Sequence, residues 1–548
     1  MRALAVALAG LAALAQPAAA QRAPTAQPLE LTGQVSNDGT RIELAWPRAG
    51  RGMAQVLRRD LGATGPDSWQ EIAPPAARLL MQDDLPPGVA QEYQVRIDGG
   101  DRPRIGYWVA GTDVPARPDQ GIALLIVDDT LAGDLTPELD LFQSDLTGAG
   151  WQVRRHLSPR ATGEGAEDIS RAMALRRWIT QEFRANAKTP HAIILVGRLP
   201  IPLTGRVNPD GHGPHAVPSD LFYADPDGFW PATQGPDGTP QLMPSLLPTG
   251  HIAMQIGRID FAGLDDHFGG ELPLLRAYFD RNHRWRHGLT GDPRRAYGAS
   301  PHLLVERYAL NNIVGPDHVV AGGHHDTGGG GPYLLGVDFG EWSGSTYDKL
   351  PPSEAIFTIN FGSHKHRFDS RNNAMTALLA QPGPLAVGWG GRPSWQLNGM
   401  ALGDSIGEVH LRTVNNAYPE QGGMAARNYQ LTGEYDWLAP PWVNLLGDPT
   451  LRPFPLRPVA DLRAETGAEG VTLHWTLPEG AEGALLFRAD NRDGPYHPLA
   501  GGALVTGDSH LDAGAAPGAW YMVRAQGLAH VHAGSFHRLA QGVFLQAP

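Results

Sequence analysis

Over the first hundred residues, apolar and polar side chains alternate with a period of two. The stretch "LELTGQVSNDGTRIELAWPRAG" runs into Trp46, and "QEYQVRIDGG" gives a second run around Tyr93. Alternation of this kind, broken by Gly, Pro, Asn and Asp, predicts short strands that turn one face to a core, as in a β-sandwich. The plan returns at the far end. There "VADLRAETGAEGVTLHWTLPEG" leads to Trp475, "GALLFRAD" follows, and "GAWYMVRAQG" carries Tyr521. Between them, over residues 118–455, the pattern changes. "GIALLIVDD", "HAIILVGRLP", "HIAMQIGRID", "HVVAGGHHD", "EAIFTINFGS" and "GPLAVGWGG" are short continuous apolar runs, whereas "TPELDLFQSDLTGAG" and "SRAMALRRWITQEFRAN" space their apolar residues as helices do. Buried strands alternating with helices predict an α/β unit with a mainly parallel sheet. In such sheets ligands gather beyond the carboxyl ends of the strands.

The opening "MRALAVALAGLAALAQPAAAQRA" places one Arg before an apolar run that closes on small residues, the pattern of a secretory signal peptide (residues 1–20) cleaved near Ala20. A Pro/Ala/Gln-rich linker follows. No later apolar run reaches the roughly 18 residues needed to span a bilayer, so an exported protein, periplasmic or extracellular, with no transmembrane segment is expected. At 548 residues the chain predicts several folding units. It has no cysteine, which excludes disulfides, a thiolate nucleophile and cysteine metal ligands. A net charge of −13 argues against nucleic acid or an anionic membrane surface as partner. A polypeptide substrate or an extracellular surface ligand fits better.

The paired strand Trp and late strand Tyr at each end resemble fibronectin type III domains, at residues 28–114 and 456–547. In the centre, "HAIILVGRLPIP", "SDLFYADPDG" and "HIAMQIGRID" follow one another, and the unit closes on "VNLLGDPTLRPFP". In that order these segments resemble the framework of gingipain-type peptidases, a cysteine peptidase family of the caspase-like clan. The resemblance implies a multidomain protein with a central three-layer caspase-like α/β domain (118–455) between two all-β sandwiches. It also implies a catalytic His on a Gly-rich turn, here "VVAGGHHDTGGGG", so His324 or His325 is the expected base. The family's nucleophile strand falls on "IFTINFGSHKHRF", which puts Ser363 at or next to the position of the family's Cys, 38 residues beyond His325.

A serine hydroxyl stays protonated near neutral pH and must hand its proton to a base in the transition state. A working Ser363 therefore needs a close imidazole, with a third group to orient it; Asp326 is the candidate orienter. Backbone amides of Gly362, Ser363 or the Gly328–Gly331 run would serve an oxyanion, because glycine permits close backbone approach. The bland alternative has Ser363 capping the helix or turn that follows.

Metal chemistry is the second candidate. The H-x-H spacing of His364 and His366, with Asp369 and the His324/His325 pair, suits a hydrolytic zinc site. Asp225 and Asp227 in "YADPDGFWPATQGPDG" suggest a calcium loop, set against an ordinary Asp-Gly turn. Arg392 and Trp395 in "GWGGRPSW" are candidates to line a substrate cleft, set against core packing for the Trp. Three functions thus stand open: a peptidase using Ser363, a non-catalytic pseudopeptidase that binds a polypeptide or surface glycan, and a His/Asp metallohydrolase.

Overall fold

The computed structural model describes residues 27–48, 52–63, 68–99, 103–163, 165–205, 207, 209, 212–213, 215–235, 237–242, 252–298, 303–322, 331–339, 353–390, 394–415 and 441–548. The leader, together with His324, His325, Asp326, Gly328 to Gly330 and Arg392, lies outside the described residues. The protein is multidomain and mostly β, with mixed sheets and few helices.

The central sheet has ten strands: β1 (Gly121–Asp128), β2 (Trp151–Ser158), β3 (His191–Val196), β4 (Gln255–Ile259), β5 (Ala296–Gly298), β6 (Val319–Ala321), β7 (Tyr333–Phe339), β8 (Ala355–Phe361), β9 (Ala386–Trp389) and β10 (Leu445–Gly447). Their spatial order is β2-β1-β3-β4-β10-β9-β8-β7-β5-β6. The apolar runs explain the burial: every residue of β1, β3 and β8 is buried, so both faces of these strands are covered. The sheet is mainly parallel, as expected, with one exception. All neighbours are parallel except β9 and β10, which pair antiparallel. Two parallel halves therefore run in opposite directions and meet at that seam. A strand's apolar pattern carries no direction, so the reversal is invisible in sequence. Helices include α1 (Thr136–Gly148), α2 (Gly165–Ala185), α3 (Glu271–Arg286), α4 (Leu304–Val314), α5 (Ala374–Leu379) and α6 (Ile406–Asn415).

The terminal regions form sandwiches as their alternation predicts. At the N-terminal end, Thr32–Val35, Arg41–Ala45 and Leu80–Asp84 face Met53–Asp60, Gln70–Ala76, Ala90–Asp98 and Arg104–Val114 across a core containing Trp46 and Tyr93. Tyr93 donates to Asp83 at 3.0 Å, and at the other end Tyr521 donates to Asp512 at 2.9 Å over the core of Trp475. The sandwiches do not stand apart as flanking spacers. Gly534–Leu539 pairs parallel with Arg104–Val114 and joins both into one ten-stranded sheet. At that seam Gly534 sits at φ 123°, and a Cβ there would lie 1.9 Å from the Gly111 carbonyl, so only glycine allows the approach.

Candidate active site

Strand β8 ends at Phe361, and the chain turns through Gly362, Ser363, His364, Lys365 and His366. Three contacts hold the turn. Trp389, at the end of β9, donates its indole N–H to the Gly362 carbonyl at 2.9 Å. The Lys365 ammonium, buried beneath the turn, donates to Asn360 at 3.2 Å. Asn373 donates to the Lys365 and Arg367 carbonyls at 3.0 and 2.8 Å while its oxygen caps α5 by accepting from Met375 and Thr376 N–H. The helix cap is thus Asn373, and the capping alternative for Ser363 is not what the chain adopts. Gly362 has a steric reason: an added Cβ would come within 2.5 Å of the Lys365 side chain. His364 takes the left-handed conformation, φ 62°, which aims its ring out of the strand line.

A second segment completes the site. Two antiparallel bridges, Leu203 to Pro218 and Val207 to His215, bring the described residues on either side together as an irregular hairpin. Two buried anchors hold its base. Arg258 of β4 forks onto Asp220 at 2.8 and 2.7 Å and also reaches the Leu199 and Pro200 carbonyls, and Asn444 bonds Asp220 N–H and the Pro218 carbonyl. Arg258 lies in "IGRID" and Asp220 in "SDLFYAD", so the pair ties these two segments together. Asn444 precedes β10, which runs against β9, so the hairpin is tied down at the end of the sheet where β8 and β9 finish.

At its tip, His212 Nε2 lies 2.6 Å from Ser363 Oγ. With the proton on Nδ1, that nitrogen accepts from the hydroxyl, the geometry a general base requires. His215 and His366 bring their Nε2 atoms within 3.1 Å, and His215 Nδ1 lies 2.9 Å from the Gly213 carbonyl. A carbonyl only accepts, so His215 Nδ1 carries the proton and its Nε2 presents a lone pair to His366. His364 packs against both His212 and His215, with centroids 5.3 Å apart in each case. His366 is buried against Trp389.

The structure therefore brings Ser363, Gly362, His364 and His366 together with His212 and His215. Sequence reading missed those two histidines. The available signal was the H-x-x-H of "HGPH", which sits in a Gly/Pro-rich loop with no periodicity to recommend it. Other candidates fall elsewhere. Asp369 is clamped by Arg367 through bonds of 2.9 and 2.7 Å, so its oxygens serve that ion pair instead of the histidines. Trp395 is fully buried and donates to the Trp389 carbonyl, which makes it core and corrects the cleft-lining expectation. Asp225 is buried, and its oxygens accept from Gly228 N–H and Trp230 Nε1–H, both at 2.8 Å. Burial pushes its carboxyl up, and two donors occupy the face a cation would need. Asp227 pairs separately with Arg184 at 3.1 Å, so an Asp-Gly turn replaces the calcium loop.

Among the described residues, one His/Asp group has three ligand atoms mutually close: Asp145 of α1 with His283 and His287, four apart on and just after α3. Each imidazole reaches its own carboxylate oxygen, at 2.8 and 2.9 Å, which accounts for the cluster as a hydrogen-bonded clamp between the two helices. Also among the described residues, no helix is long and apolar enough to cross a membrane.

A multidomain, mostly β protein with a serine–histidine contact at a sheet-strand terminus is thus defined. No family model matches the chain, and no curated protein matches it. Solved structures similar to it include a protease, 11% identical at TM-score 0.46, covering 78% of this chain and 98% of that one. A Fn3-like protein from Clostridium thermocellum is 22% identical at TM-score 0.14 over 17% of this chain and 92% of its own. The third fibronectin III domain of human KIAA0343 protein is 14% identical at TM-score 0.14 over 20% and 99%.

Proposed function

We propose that the protein is an exported hydrolase of peptide bonds, of gingipain-like, caspase-like build over residues 118–455 and framed by sandwiches at 28–114 and 456–547. Ser363 stands in for the family's cysteine. The observation that carries this reading is the 2.6 Å contact between His212 Nε2 and Ser363 Oγ. In the proposed reaction Ser363 Oγ attacks the scissile carbonyl carbon as its proton passes to His212 Nε2. His212 then returns that proton to the leaving amine, the amide C–N bond breaks, and water cleaves the acyl ester by the reverse sequence. The Lys365 ammonium lies beneath the same turn and supplies the sign of charge that a developing oxyanion requires.

A second reading rests on a different contact. His215 and His366 face each other through Nε2 atoms 3.1 Å apart, and fixing Nδ1 of a histidine on a carbonyl is how zinc-binding imidazoles are oriented. His215 and His366 would supply two zinc ligands, and a third from His212 or His364 would need a side-chain rearrangement, since these four do not bring three ligand atoms mutually close; zinc held there would activate water for hydrolysis.

Peptide-library hydrolysis by wild type, Ser363→Ala and His212→Gln, each with and without a chelator, separates the readings. Loss of a positioned base costs roughly 10²- to 10⁴-fold in rate, so His212→Gln should fall that far, Ser363→Ala, which lacks the nucleophile, at least as far, and the chelator should change nothing. Cleavage by Ser363→Ala equal to wild type would overturn the serine mechanism, and abolition by chelator would favour the metal. No turnover by folded wild type would leave a pseudopeptidase that binds a polypeptide or surface glycan.

A further inference from the structure

The two sandwiches and the central unit line a half-open cavity of about 640 Å³ to which the Ser363 turn contributes no residue. Its walls hold seven arginines against two carboxylates, Asp404 and Glu408. The two acids are already answered. Arg412 donates to Asp404 at 2.6 Å, Arg452 lies 3.1 Å from Glu408, and Arg117 bonds Glu408 as well. Arg524 is different. It is 3% exposed, and its partners are the carbonyls of Pro118 and Ala540, at 2.9 and 3.2 Å. Among the described residues, no carboxylate bears on it. Burial pushes its guanidinium down to about 9, and the nearby Arg452 adds to the effect.

Buried charges in proteins are paired, because taking an ion out of water without a counter-charge is costly. A buried guanidinium that faces a cavity and has only neutral acceptors lacks its counter-ion. We infer that this cavity is a binding site for a small organic anion whose carboxylate or phosphate group seats on Arg524. The volume falls within the usual range for small-molecule pockets, which favour junctions between domains. Leu402 and Phe536 in the walls supply apolar surface for the rest of the ligand. The protein as a whole carries −13, so the site is a local reversal of sign. This inference is independent of the hydrolytic reading, since none of these residues belongs to the Ser363 turn.

The test is titration calorimetry of the full protein with benzoate and with inorganic phosphate, at constant ionic strength, on wild type and Arg524→Met. Hydrogen bonds to charged groups contribute enough that affinity for either probe should fall at least about tenfold in the variant. Tighter binding of benzoate than phosphate would show that the apolar wall takes part, and the reverse would assign the site to the oxyanion alone; either supports the inference. Absence of saturable binding of both probes, or equal binding in folded Arg524→Met, overturns it. If Arg524→Met fails to fold, Arg524→Lys carries the test, because it keeps the buried charge and removes the guanidinium fork that would seat the anion. Weakened binding there supports the site, and unchanged binding overturns it.

Discussion

Replacing Asp220 with Asn should destabilise the protein and silence it together. Arg258 is buried and its guanidinium makes four hydrogen bonds, two to Asp220 and one each to the Leu199 and Pro200 carbonyls. Removing one partner of a buried ion pair typically costs about 3–5 kcal/mol, mostly because the other charge is left unanswered. Asn keeps the shape and one acceptor, and the two carbonyls remain, so Asp220→Asn should lie near the low end, about 3 kcal/mol. Urea unfolding followed by tryptophan fluorescence measures this. The double variant Asp220→Leu/Arg258→Met removes both charges and should recover most of the loss. The consequence for function is separate, because Asp220 anchors the hairpin that carries His212. Hydrolysis should fall in the double variant even where stability returns. An Asp220→Asn cost under about 1 kcal/mol, or a double variant less stable than the sum of its singles, would refute the reasoning.

Two further outcomes are expected. His410 is buried with Nε2 2.9 Å from the Val443 carbonyl, so it is a neutral donor, and burial holds its pKa down to about 4. An unfolded histidine titrates near 6.5, so its contribution is full above that pH and is lost as pH falls toward 4, reaching about 3 kcal/mol at 1.36 kcal/mol per unit. His410→Gln should flatten unfolding free energy between pH 6.5 and 4.5, and an unchanged acid loss would contradict this. Gly362→Ala should push the buried Lys365 head group off Asn360 and cost about 1–3 kcal/mol, as overpacking does, with hydrolysis reduced; a variant as stable and as active as wild type would remove the steric argument.

The position of Ser363 was legible because β8 is an apolar run that stops at Gly-Ser, and the end of a buried strand is where a side chain first meets solvent. Its partner was not legible. His212 lies 151 residues earlier in a loop without periodicity, and its placement depends on an Arg–Asp pair and on Asn444, contacts that no local pattern encodes. For Trp395 the sequence left cleft lining and core packing both open. A tryptophan amid glycines after a strand fits either role by local pattern, and here it fills the core beneath β9. The sandwiches declared themselves through alternation toward Trp46 and Trp475, whereas their edge-to-edge union through Gly534 depends on backbone proximity between segments more than 400 residues apart.

Activation of Ser363 by His212 can be read out by covalent labelling. Wild type, Ser363→Ala and His212→Gln would be incubated with a fluorophosphonate, which phosphonylates activated serines, and weighed as intact proteins. One adduct is expected on wild type, located at Ser363 by peptide mapping, with none on Ser363→Ala and labelling of His212→Gln slowed by about 10²-fold or more. An unlabelled wild type, or an adduct that persists in Ser363→Ala, would contradict it.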